Sequence, residues 1–107
     1  MKTNYRFGEV HALADQVQIG DEHVACTQIF ETQCGGASLL GFRAGQKLDT
    51  HLAPANVMVT VLEGEIEFMM NNESRTIREG EFLLMGADVP HSVVAKQDSK
   101  VLLVKVK

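Results

Sequence analysis

From residue 23 onward, apolar residues come in short runs cut by polar and glycine-containing clusters. Few segments keep a helical period. The runs predict strands over His23–Cys34, closed by Gly35-Gly36, and over Ala37–Arg43, closed by Ala44-Gly45. Lys47–Leu52 follows and stops short of Pro54. Val57–Leu62 is apolar enough to be buried on one or both faces. Glu63-Gly64 marks a corner, and Glu65–Met70 then alternates, with Glu65 and Glu67 toward water and Ile66 and Phe68 inward. Asn71-Asn72 reads as a hairpin turn, because Asn tolerates positive φ. Glu73–Arg78, Glu81–Met85, Ser92–Lys96 and Lys100–Val106 complete the set. About nine strands at turn-to-turn spacings of roughly 8–12 residues indicate an all-β sandwich or barrel. Before them, residues 10–15 can form a short helical turn, followed by the turn signal Gly20-Asp21. The reading is an N-terminal arm over 1–22 and one barrel domain over 23–107.

Composition narrows the function classes. The 107 residues allow a single core. A formal net charge of −4, with scattered Lys and Arg, gives no basic stripe for a nucleic-acid partner. No apolar run approaches the ~20 residues of a membrane helix. The opening Met1-Lys2-Thr3-Asn4-Tyr5-Arg6-Phe7-Gly8 lacks the apolar stretch of a secretion signal, so a cytoplasmic location is expected. Cys26 and Cys34 fit neither a redox nor a zinc spacing, and both are expected to be free and buried. Four His in a chain without Trp are the one oddity.

Two blocks concentrate the chemistry. The first is Gly45-Gln46-Lys47-Leu48-Asp49-Thr50-His51-Leu52-Ala53-Pro54-Ala55-Asn56-Val57, continued by Val61-Leu62-Glu63-Gly64-Glu65. The second is Gly80-Glu81-Phe82-Leu83-Leu84-Met85-Gly86-Ala87-Asp88-Val89-Pro90-His91. Together they resemble the two motifs of the cupin superfamily, over residues about 35 to 104. The chain looks most like small single-domain bacterial cupins of the RmlC-like type. The resemblance implies a double-stranded β-helix, a small jelly-roll barrel, paired as a homodimer.

A typical cupin holds one divalent metal through a His-x-His pair, a Glu four residues later and a His in the second motif. The resemblance puts His51 and His91 at two of these positions and Ala53 and Val57 at the others, where methyl-bearing side chains cannot ligate. A stable site usually needs a third protein ligand. Asp49, two residues before His51, shares its face if the strand is regular, and would complete a two-His-one-carboxylate set. Cys34, Gln33 and Gln46 are weaker candidates. A single Fe, Mn, Ni or Zn ion is the cofactor this set would take. The plainer alternative makes His51 and His91 neutral, hydrogen-bonded residues shaping a pocket, with Met58 and Met85 beside them. His11 and His23 read as surface residues, and Glu63, Glu65 and Glu67 as a solvated face. Phe30, Phe42, Phe68 and Phe82 are bodies for the core and a subunit interface.

Three functions stay open on this reading. A small organic molecule (an acid, phenol or sugar) would bind in the barrel near His51 and His91. A metal-dependent dioxygenase or isomerase would use the same pair, and a metal-free variant would use one His as general base. A dimeric barrel would serve as an interaction module. In each case a homodimer is expected, with residues 1–8 able to reach a partner copy.

Overall fold

A computed structural model describes residues 1–107. Nine strands follow a short 3-10 turn at Leu13–Gln16. They are β1 (Ala25–Thr32), β2 (Gly35–Phe42), β3 (Lys47–His51), β4 (Asn56–Glu63), β5 (Glu65–Met70), β6 (Glu73–Arg78), β7 (Phe82–Met85), β8 (His91–Ala95) and β9 (Ser99–Val106). A five-stranded sheet has the order β1-β2-β9-β4-β7, and a four-stranded sheet the order β3-β8-β5-β6. Neighbouring strands are antiparallel throughout. The architecture is all-β, as the strand spacing predicts, and is the jelly-roll barrel that the resemblance implies.

Period-two alternation decides what enters the core. On β4, Val57, Val59 and Val61 are buried, and on β5 Ile66 and Phe68 are buried. With Phe42 and Val101 they form one apolar cluster between the sheets. The Asn71-Asn72 hairpin holds both residues at positive φ, 52° and 62°, as a two-residue turn requires. Glu67 faces out as expected, and its carboxylate accepts hydrogen bonds from Ser74 and Thr76 on β6.

The first hairpin differs from the sequence reading. Its turn is Gln33-Cys34, and Gly35-Gly36 opens β2 instead of ending β1. These glycines serve close packing. A Cβ at Gly35 would fall 1.9 Å from the Lys105 carbonyl oxygen, and one at Gly36 would fall 2.6 Å from that of Phe30. Cys26 and Cys34 are free but exposed, not buried. Cys26 lies on the edge strand β1 and Cys34 in the turn, where nothing covers them. Phe82 is likewise exposed, whereas Phe42 and Phe68 are core residues.

The N-terminal arm packs on its own barrel. Lys2 and Glu31 exchange two backbone hydrogen bonds of 2.8 Å, extending the β1 edge. Val17 is buried against the outer face of β2, where Gly41 leaves room. Arg43 ties the arm down through Asp21 at 2.7 Å, while pairing with Asp98 at 2.9 Å. Lys100 adds a hydrogen bond from its Nζ to the Ala14 carbonyl. No helix is long and apolar enough to cross a membrane.

Candidate functional site

His51 ends β3 and His91 begins β8, and the two are direct partners across the strand pair. Their ring centroids lie 4.1 Å apart. His91 is buried and stacks on Phe68, with 5.5 Å between centroids and 15° between planes. His51 is exposed. The pair stands at one cavity of about 140 Å³ between the sheets, in which thirteen of seventeen lining residues are hydrophobic.

Backbone carbonyls set the state of both rings. His51 Nδ1 lies 2.9 Å from the Asp49 carbonyl oxygen, and His91 Nδ1 lies 2.9 Å from that of Val89. A carbonyl oxygen only accepts, so each Nδ1 carries the proton and donates it. In the neutral rings, each Nε2 is therefore an acceptor with an unshared lone pair. Burial holds the His91 pKa below its ordinary value, and the positive charges that His51 and Lys105 can carry push it the same way. The Val89 hydrogen bond opposes these effects.

Ala53 and Val57, the two methyl-bearing positions, also line the cavity, as does Met85. Met58 does not. It follows Val57 on an alternating strand, so it faces the outer side of the sheet beside Leu84 and Val104. Asp49 also departs from the reading made on regular alternation. β3 pairs Leu48 with Val93 and His51 with His91, three steps against two, so a bulge breaks the parity between Asp49 and His51. The Asp49 carboxylate is exposed, 3.9 Å from Lys47 Nζ. Gln46 is engaged by the Arg43 amide and the Gly20 carbonyl. Gln33 and Cys34 sit in the β1–β2 turn, outside the cavity wall.

No three His, Cys, Asp or Glu side chains come together as a metal-ligating group. The cavity supplies two imidazole nitrogens and no carboxylate, short of the three protein ligands a resident metal usually takes. The sequence reading missed Lys105, which lines the cavity from β9. The signal was present in the alternation of Val101, Leu103 and Lys105, which share a face.

Comparison with known proteins agrees with this geometry. A family model described as "Cupin domain" matches residues 38–107. A protein of unknown function from Streptococcus pyogenes is 28% identical, with a TM-score of 0.90 over 100% of this chain and 96% of its own. An RmlC-like cupin from Desulfovibrio desulfuricans is 26% identical, with a TM-score of 0.76 over 99% and 96%. A cupin superfamily protein from Desulfitobacterium hafniense, 16% identical, shares the fold at a TM-score of 0.88 over 97% and 95%. No curated protein matches the sequence. The matched motifs, the jelly-roll topology and the facing His51 and His91 place this chain in the cupin family.

Proposed function

We propose that the protein binds a small organic molecule, about the size of one six-membered ring, in the barrel cavity. The observation that carries this is an apolar cavity with two imidazole acceptors set side by side in its wall. An apolar cavity of about 150 Å³ suffices for benzene. An imidazole acceptor in an apolar wall wants a donor, so the ligand brings an O–H or N–H to the buried His91, while the exposed His51 can accept from water. A phenol-type molecule meets both demands.

Phenol is therefore the first probe. In nuclear magnetic resonance titrations it should shift the His51 and His91 ring signals and the Met85 methyl. Ala53→Phe, which fills the cavity, should abolish these shifts in a variant that still melts cooperatively. Unchanged spectra at millimolar phenol would remove the reading. Near-stoichiometric metal after loading with Fe, Mn, Ni or Zn, lost in both His51→Ala and His91→Ala, would replace it with the metal-dependent one.

The assembly proposed with this reading is a homodimer through the outer face of the five-stranded sheet. Register lines up Leu102, Thr60 and Phe82 in one row and Val104, Met58 and Leu84 in the next. Phe82 and Leu84 are largely exposed on the edge strand β7. Such a patch is costly in water, and a second copy of the same patch covers it. Sedimentation at micromolar concentration should give a dimer that Leu84→Glu dissociates. A wild-type monomer under those conditions would exclude this pairing.

A further inference from the structure

The cavity wall holds one charged side chain besides the two imidazoles. Lys105 lies on the inward face of β9 and is exposed. Its direct cross-strand neighbours are Val57 on β4 and Gly36 on β2, neither of which can neutralise it. No Asp or Glu lines the cavity, and Lys105 takes part in no ion pair within the chain. Glu31 stands in the same cross-strand row on the far side of Gly36 but makes no ion pair with Lys105, so the ammonium at the cavity opening is unpaired. An unpaired ammonium beside an apolar pocket favours an anion that a ligand brings with it.

We infer that Lys105 anchors a carboxylate of the bound molecule, so that the cavity takes small aromatic hydroxy acids. This rests on the proposed cavity binding and names its ligand class. The ring lies among Val57, Phe68 and Met85 in the apolar wall. The hydroxyl donates to His91 Nε2. The carboxylate stays at the exposed end, where it keeps part of its hydration and meets the Lys105 ammonium. Placing the anion at the rim avoids the cost of burying it among apolar side chains.

The test compares phenol with 2-, 3- and 4-hydroxybenzoate by calorimetric titration at pH 7.5 and low ionic strength. The best of the three acids should bind about tenfold more tightly than phenol, the range of one charge-assisted hydrogen bond. Lys105→Met should cut the ratio of acid to phenol affinity from about tenfold to about one. Lys105→Arg should keep the preference. Phenol binding with no gain for any acid, or a gain that survives Lys105→Met, would overturn the inference and leave the cavity reading standing. No binding of phenol or of any acid would overturn both.

Discussion

Phe68→Ala is expected to lose about 3–5 kcal/mol of folding stability, the usual cost of truncating a buried aromatic residue. Phe68 is 1% exposed and lies in the apolar cluster between the sheets. It sits on β5, between β8 and β6, facing Val93 on one side and Arg75 on the other. The truncation enlarges a cavity that already exists beside it, so neighbours have little reason to collapse inward. For a domain of this size, the melting temperature should fall by about 15 °C or more. Phe68→Leu should cost far less, because it keeps most of the buried volume.

The same substitution changes the pH dependence of folding. Burial is the largest cause holding the His91 pKa below its ordinary value of 6.5. A base with a lowered folded pKa binds fewer protons folded than unfolded. Its contribution is therefore complete above about pH 6.5 and is lost as pH falls through the folded pKa. Phe68 stacks on the His91 ring and excludes water from it. Its removal should raise the His91 pKa toward 6.5 and flatten the acid side of the stability curve. Proton resonance titration of His91, with melts from pH 5 to 8, measures both effects. A stability loss below about 1 kcal/mol, or an unmoved His91 titration, would contradict the core position and the stacking respectively.

Gly64→Ala should be nearly as damaging. Gly64 is the single residue between β4 and β5, where the chain passes from the larger sheet to the smaller. Its φ is 89°, which an L side chain resists at about 1–2 kcal/mol. An alanine Cβ would also lie 2.3 Å from Ser99 Oγ and 2.4 Å from the Asp98 carbonyl oxygen. Ser99 cannot yield freely. Its hydroxyl accepts from the Glu65 amide at 3.1 Å and lies 2.8 Å from the Gln97 carbonyl oxygen. Overpacking adds about 1–3 kcal/mol, for a total of about 2–5 kcal/mol. Gly80→Ala is the matched control. Its φ is 82°, but a Cβ there meets nothing within 4 Å, so only the backbone cost applies. Equal losses for the two variants in chemical denaturation would show that the Gly64 corner is not tightly packed.

Much of this fold can be read along the chain because its determinants are local. Alternation placed Ile66 and Phe68 inward, positive φ at Asn71-Asn72 made a hairpin, and the two motif blocks put His51 and His91 at one pocket. The errors cluster where a third strand or an irregularity intervenes. Gly35-Gly36 resembles a turn until β9 and β1 are seen to press on it. Met58 looks equivalent to Met85 until β4 turns it to the other face of the sheet.

The sequence by itself determined the succession of strands along the chain and the all-β class, through period-two alternation and turn chemistry, and singled out the histidine pair through the resemblance of its two blocks to the cupin motifs. Only the tertiary structure decided the chemistry around that pair. The bulge between Leu48 and His51 sends Asp49 into solvent, because one extra residue on β3 reverses the face of its side chain. The register of β9 against β4 brings Lys105 beside Val57, residues 48 positions apart in the chain. Strand pairing across such separations depends on global packing, and no local pattern encodes it.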